Sequence, residues 1–507
     1  MSTASAWSVA LLGMEGTLIE VEAAIGGGLP RTVLVGLPDA ALYEARDRCR
    51  AAVAGAGLSW PNQLLTINLT PASLPKAGSH YDLAIVSAVL AASGVVPHAI
   101  AASSVLVGEL GLDGRVREVQ GVLPALLAAR DAGFEAAIVP ARQVAEAELV
   151  AGLRVLGVSC LADLIEVLHG RRVLGGAHAN EPPTVQPPDY APDLADVRGQ
   201  PDACWALEVA AAGGHHLFLH GAPGVGKSML AERLPGLLPD LNNAEALEVS
   251  AIHSLVGRPL NGGLIRRPPY SNPHHNASMA AMVGGGARVA RPGAISIAHR
   301  GVLFLDEVPE FSARVLDALR TPLETGKVTI ARSASQVCYP ARFQLVMAAN
   351  PCPCGMLGVP GANCTCTPMS VRRYNERLSG PMLDRVDIHH RLLPSRLGLA
   401  DAPAGESSKK VAERVRLARE RQAERLMGTP WQLNGEIPGA ELRRLPRARG
   451  MSLLDDAVRS GRLSARGVDK VLRLAWTLAD LDGKDRITRV QLASALGLRH
   501  DGWRCAA

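Results

Sequence analysis

The sequence predicts a multidomain α/β protein, and three observations carry that prediction. Its 507 residues exceed what one hydrophobic core organises, and domain-size statistics suggest roughly three or four folding units. Short apolar runs, LFLHG at 217–221, GVLFLDE at 301–307 and FQLVMAAN at 343–350, alternate with helical patterns and end on polar or glycine residues. Such runs read as parallel strands buried on both faces, whose C-terminal ends carry the chemistry. The stretch GGAHANEPPTVQPPDYAP, from Gly175 to Pro192, holds five prolines and no apolar periodicity, which marks a linker. A weaker break, PSRLGLADAPAGESS, spans 394–408. The divisions expected are therefore 1–174, a linker at 175–192, 193–394 and 395–507.

The elements follow from composition and pattern. Apolar residues make up 48% of the chain and aromatics 3%. Ala, Gly, Leu and Val carry the apolar load, which favours alternating helix and strand over an aromatic-rich β-sandwich. No Asp, Glu, Lys or Arg occurs from Leu83 to Gly108. Pro97 and His98 interrupt that stretch, so it reads as a buried helix followed by a buried strand and not as a membrane span. After Ser408, KKVAERVRLARERQAERL reads as a charged amphipathic helix, and 434–507 as a small helical bundle. No basic segment with a cleavage site opens the chain, so a cytoplasmic protein is expected. The nine cysteines then read as reduced thiols or metal ligands and not as a disulfide framework. A net charge of +5 is compatible with a polyanionic partner and equally with an ordinary solvated surface.

The most specific signal is Gly221-Ala222-Pro223-Gly224-Val225-Gly226-Lys227-Ser228. It is a Walker A loop, following an apolar strand and preceding the helical pattern MLAERLPGLL. Its glycines let backbone N–H groups curl around phosphate oxygens at a helix N-terminus. Lys227 is expected to reach the β- and γ-phosphates, and the Ser228 hydroxyl to bind Mg²⁺. Downstream, GVLFLDE ends in Asp306 and Glu307. A surface acid pair is the ordinary explanation of such a dipeptide. Following a Walker A loop on an apolar strand, it reads as a Walker B motif, with Asp306 as Mg²⁺ partner and Glu307 as base for the attacking water. Asn350, ending the next apolar strand, is the candidate sensor that holds this water, with a turn-capping Asn as the alternative. ATP and Mg²⁺ are thus the expected substrate and cofactor.

Four stretches carry a family resemblance: DVRGQPDACWALEVAAAGGHHLFLHGAPGVGKSMLAERLPGLLP (196–239), PHHNASMAAMVGGG (273–286), RPGAISIAHRGVLFLDEVPEF (291–311) and SGPMLDRVDIHH (379–390). They resemble the magnesium-chelatase-like AAA+ ATPases that include ComM (YifB). The resemblance implies a P-loop α/β core with helix-2 and presensor-1 insertions facing the pore of a homo-oligomeric ring, a hexamer. Here these insertions would be roughly 256–299 and the hairpin 327–343. It also implies that Arg385, in LDRVD, is the arginine finger of a neighbouring site, and that Arg466, in LSARG, is the sensor-2 arginine of a C-terminal helical lid. A guanidinium there neutralises charge on the transferring phosphoryl group.

Residues 1 to about 172 resemble the Lon-protease-like α+β domain of the same family, through GLPRTVLVGLPDAALYEARDRCRAAV, TINLTPASLPKAGSHYDLAIVSAVLAASG and GELGLDGRVREVQGVLPALLAARDAG. Lon proteases use a Ser–Lys dyad. Alignment places His80 at the nucleophile position and Leu123 at the base position, which disfavours an ATP-dependent protease, although Ser79 and Lys76 lie nearby.

Cys352 and Cys354, then Cys364 and Cys366, form two close pairs joined by a Gly- and Pro-rich loop. Four thiols so grouped fit a tetrahedral structural Zn²⁺ site; four reduced cysteines are the alternative, because C-x-C is tighter than the usual C-x₂₋₄-C.

The resemblance implies a DNA branch-migration motor acting on branched or single-stranded DNA, with no membrane partner. Candidate phosphate contacts are Arg266, Arg267, Arg288, Arg291 and Lys327. The first insertion reads PPYSNPHH, where relatives carry an arginine before the His pair, so one expected pore contact is missing. The rival readings are a chelatase-type ATPase that remodels a protein or metal-insertion partner, and a nucleotide-binding scaffold. Asp306, Glu307 and Asn350 together disfavour the scaffold.

Overall fold

A computed structural model describes residues 2–36, 40–74, 76, 78–171, 192–260, 263–286, 290–331, 336–394, 404–445 and 450–499. Most of the Pro-rich linker, most of the 394–408 break, Arg288 and Cys505 lie outside the described residues.

Two sheets organise the chain. The first has seven strands, in the order Arg31–Val35, Leu64–Thr70, Glu15–Gly26, Ser2–Leu12, Ser104–Leu106, Ala136–Pro140 and Arg154–Val158. Its long central hairpin pairs Ser2↔Ile25 through Leu12↔Glu15 antiparallel, and the strands beyond Ser2–Leu12 are parallel to it or to each other. Alternating burial along Ser2–Leu12 puts Ala4, Ala6 and Ala10 in one core and Val9 in another. The helix Asp82–Ala92 covers this sheet and is buried at nearly every position. That accounts for the uncharged stretch, which also contains a short helix, His98–Ser103, started by Pro97. Asp82 is the one acid in the long helix, and burial lifts its carboxyl to about 6 although Arg48 grips both of its oxygens at 2.9 and 3.0 Å.

The second sheet is wholly parallel, in the order Tyr270–Ser271, Val302–Leu305, Gln344–Ala349, Leu217–Gly221, Ile388–Leu392. The three apolar runs read from sequence are its three central strands, each buried on both faces. Strand order reverses beside Leu217–Gly221, the place where open α/β sheets bind ligands. The segment 256–299 is not one excursion from this core, because Tyr270–Ser271 inside it is the edge strand of the sheet. Two residues of pairing leave too little periodicity to read. Residues Lys327–Ala331 and Gln336–Pro340 form a separate antiparallel hairpin, with Val328, Ile330, Val337 and Tyr339 on its buried face and Lys327 exposed. Arg332 lies outside the described residues.

The C-terminal helices Ser408–Arg425, Ala465–Leu481 and Arg489–Leu498 share one apolar core with the helix Pro201–Gly213 and the second sheet. Arg414 fastens helix Ser408–Arg425 to helix Pro201–Gly213 by pairing with both oxygens of Glu208 at 2.6 and 2.9 Å. The first sheet meets the second unit along helix Asn243–Leu255. There the Ser254 carbonyl accepts from Gly121 N at 3.0 Å, and the Ser254 hydroxyl donates to Glu146 at 2.5 Å.

Candidate nucleotide and metal sites

The Walker A loop leaves the Leu217–Gly221 strand at the reversal of strand order and enters helix Lys227–Arg233. Gly224 and Gly226 have φ of +77° and +94°, a region in which a Cβ is strained. The Lys227 ammonium is folded back into the loop, donating to the carbonyls of Gly221 and Ala222 at 2.8 Å each and to Asn350 Oδ1 at 2.9 Å. Burial pulls its pKa below the ordinary lysine value, against the opposing charges of Asp306 and Glu307. Ser228 Oγ donates to Asp306 Oδ2 at 2.7 Å. Three parallel strands therefore bring Lys227, Ser228, Asp306, Glu307 and Asn350 to one sheet edge, although they are distant in sequence. Glu307 adopts φ 51° and ψ 46°, a conformation that costs a non-glycine residue roughly 1–3 kcal/mol and clusters at active sites and switch regions.

Hard oxygen donors of this kind suit Mg²⁺, which takes few protein carboxylates and keeps several waters. Ser228 and Asp306 fit it.

Arg385 and Arg466 are elsewhere. Both line a cavity of about 830 Å³ whose walls also include Arg300, Arg342 and Arg473, and no residue of the Walker A loop lines it. Arg385 donates to the Pro381 carbonyl at 2.8 Å and pairs with Glu324. Arg466 is exposed at the first turn of helix Ala465–Leu481. The two arginines thus line one cavity, and no residue of their own chain's phosphate loop lines it.

The four candidate thiols also converge. The Sγ atoms of Cys352, Cys354, Cys364 and Cys366 lie within 4.8 Å of one another, with Cys352 3.4 Å from Cys354 and 3.7 Å from Cys364. Tetrahedral zinc with Zn–S bonds of about 2.3 Å requires sulfurs about 3.8 Å apart, so the set fits. Gly355 turns the loop at φ +78°, and a Cβ added to it would meet Pro223 of the Walker A loop at 2.5 Å. The thiol cluster is therefore packed against the phosphate loop, a relation that sequence proximity to Asn350 alone did not disclose.

The protease positions are differently engaged. His80 Nε2 bonds the Val9 carbonyl at 2.8 Å, and Leu123 is fully buried with its N–H 3.3 Å from both Ser254 Oγ and Glu146 Oε1. Ser79 donates to Glu109, whereas Lys76 donates to the carbonyls of Gly36, at 3.0 Å, and Pro71. Ser79 and Lys76 do not form a shifted dyad.

Of the proposed phosphate contacts, Arg266, Arg267, Arg291 and Lys327 are exposed, and Arg266 bonds Asn243 at 2.9 Å. Among the described residues no helix is long and apolar enough to cross a membrane.

Comparison with known proteins extends these observations. Three family models match in succession: subunit ChlI of Mg-chelatase over residues 21–143, magnesium chelatase subunit ChlI over 193–397, and its C-terminal part over 405–499. An uncharacterized protein of Mycobacterium tuberculosis is 52% identical over 99% of this chain and 100% of its own length. The Escherichia coli protein YifB is 43% identical over 98% of this chain and 97% of its own. Competence protein ComM of Haemophilus influenzae is 40% identical over 98% of each. Identity of that extent along nearly the whole length means that the chain belongs to the magnesium-chelatase-like family of YifB and ComM.

Proposed function

We propose that the protein is an AAA+ ATP hydrolase that assembles as a homo-oligomeric ring, a hexamer, and drives DNA branch migration. The observation that carries the hydrolase is the convergence of Lys227 on Asn350 and of Ser228 on Asp306 at one parallel-sheet edge. In this reading the Lys227 ammonium exchanges its carbonyl partners for phosphate oxygens. Asn350 holds a water in line with the terminal phosphorus, and Glu307 takes that water's proton. Mg²⁺, held through Ser228 and Asp306, supplies neutralisation of phosphate charge when bound.

The separation of Arg385 and Arg466 from the phosphate loop of their own chain supports a site shared between neighbours, in which both arginines serve the adjoining nucleotide. The N-terminal unit, read as a Lon-protease-like fold without its dyad, is a scaffold. Its seam with helix Asn243–Leu255 supports that role. The cysteine cluster holds a structural Zn²⁺ that braces the Walker A loop through Gly355. The DNA substrate is supported by the relatedness to competence protein ComM and by the exposed basic residues of the two insertions.

The deciding experiment measures ATP hydrolysis by the purified protein with single-stranded, duplex and branched DNA, together with movement of a three- or four-way junction. Stimulation and junction movement are expected, with binding that weakens steeply as salt rises because phosphate contacts release counterions. No binding to any DNA form at low salt, by protein that hydrolyses ATP, would defeat the DNA reading and leave the hydrolase intact. Hydrolysis that responds instead to a porphyrin-handling partner would favour the chelatase-type alternative, to which the family descriptions point.

A further inference from the structure

The tip of a β-hairpin ordinarily stands in solvent, because a tight turn has little apolar surface to bury. The tip of the long N-terminal hairpin does not. Leu12 pairs with Glu15, so Gly13 and Met14 alone make the turn, and Gly13 is buried. What covers it is the hairpin Lys327–Ala331 and Gln336–Pro340 of the second unit. A Cβ added to Gly13 would stand 2.5 Å from Val337 Cγ1 and 3.4 Å from the Cys338 carbonyl oxygen. Gly13 also has φ +69°, so both the turn and the close approach call for glycine there. Met14 reaches further. It packs against the core that holds Val328, Ile330, Val337 and Tyr339, and also against the N-terminal core that holds Val9 and Leu126. One flexible side chain thus fills space in two cores.

The covered hairpin depends on such contacts. A two-stranded ribbon is at best marginally stable alone in water and becomes firm only when an apolar face packs. Here that face is Val328, Ile330, Val337 and Tyr339, while Lys327, Thr329, Gln336 and Cys338 on the other face are exposed. The first insertion supplies a second support. The Tyr339 hydroxyl donates to the Ala290 carbonyl, and a Cβ on Gly284 would meet Ile330 Cδ1 at 2.8 Å.

We infer that Gly13 and Met14 are positioning residues for the hairpin 327–340, holding its exposed face in place under load. The inference rests on the reading above that this hairpin engages DNA. A segment that pushes a polymer passes the reaction force to its anchor, and part of the anchor is the N-terminal hairpin tip. The N-terminal unit therefore takes part in the mechanical work, although neither Gly13 nor Met14 belongs to the nucleotide site.

The test compares Met14→Ala, Gly13→Ala, Met14→Leu and Leu153→Ala in the full chain. It reads amide hydrogen exchange in the hairpin, basal ATP turnover, the midpoint of thermal unfolding, and movement of a three-way DNA junction per ATP hydrolysed. Leu153 packs on the N-terminal core and not on the core of the hairpin, so Leu153→Ala reports general loosening. Met14→Ala and Gly13→Ala are expected to speed hairpin exchange by roughly tenfold or more, since exchange there follows local opening. Basal turnover stays at the wild-type value, and junction movement per ATP falls. Met14→Leu conserves volume and keeps wild-type exchange and movement. Unchanged hairpin exchange in both Met14→Ala and Gly13→Ala overturns the inference. So does faster exchange that Leu153→Ala reproduces equally with a lowered midpoint, the pattern of a merely structural residue. Faster exchange beside wild-type junction movement overturns it too, because the position of the hairpin would then not matter to the work. Wild-type protein that moves no DNA defeats the reading on which the inference rests, and the exchange data then decide the positioning by themselves.

Discussion

Lys470 and Asp387 form a buried ion pair at 2.6 Å, and the same ammonium donates to the Arg385 carbonyl at 2.9 Å. Lys470 sits on the helix whose first turn carries Arg466. One side chain therefore ties the backbone of Arg385 to the helix that carries Arg466. Lys470 also holds the Asp387 carboxyl well below its ordinary range, overcoming the opposing effect of burial, with His215 adding a contact at 3.3 Å.

Removing one partner of that pair leaves the other charge uncompensated. Lys470→Met should lower stability by about 3 kcal/mol, read as a reduced midpoint of thermal unfolding. Lys470→Met combined with Asp387→Leu should recover most of that loss, since neither charge then remains buried alone. ATP turnover should stay depressed in both variants, because the backbone of Arg385 is then no longer tied to the helix that carries Arg466.

If those arginines act on a neighbour, damage to the two halves of the shared site can be complemented. Arg385→Ala and Lys227→Ala should each lack turnover, and mixing them should restore part of it, because some interfaces then combine an intact loop with an intact arginine. Co-assembly without any recovery at any mixing ratio would place Arg385 outside the neighbour's site.

The thiol cluster should hold about one zinc per chain, measured by metal analysis of protein purified without added metal. Cys352→Ser should lower that content and weaken nucleotide binding as well, because Gly355 of the same loop packs on Pro223. Gly355→Ala provides a second route to the same end, since its Cβ meets Pro223 at 2.5 Å in a backbone conformation at φ +78°. It should weaken nucleotide binding while retaining the metal.

Acid should destabilise the second unit through His216. Its Nδ1 accepts from Leu345 N at 3.1 Å, and burial pushes its pKa down to about 4 from an ordinary 6.5. As pH falls below 6.5 the unfolded chain takes up a proton that the folded chain refuses until about 4. Stability present at neutral pH is therefore lost on acidification, by about 2 kcal/mol between pH 7 and pH 5 for this group. Replacing His216 by Gln should flatten the dependence of the unfolding midpoint on pH across that window.

The parallel core was legible along the chain, and so was the convergence of the loop 221–228 with Asp306, Glu307 and Asn350. Strands such as LFLHG and GVLFLDE are buried on both faces, so their uninterrupted apolar character is visible without any partner, and the Walker residues sit at their ends because the chain turns there. The Cys pairs were legible for the same reason: their spacing is local. Which distant groups meet is set by packing across the fold. The two-residue strand Tyr270–Ser271 has no periodicity to detect, yet the segment that follows it brings His275 Nδ1 to 3.7 Å from Glu307 Oε2. The packing of Gly355 on Pro223, the pairing of Lys470 with Asp387, and the seating of Leu123 against Ser254 each join segments far apart along the chain. Family resemblance alone singles out Arg385 and Arg466, and their shared cavity away from the phosphate loop follows from how the C-terminal helices pack on the sheet. Such contacts are set by burial and register across the whole core, and a pattern along one segment carries no record of them.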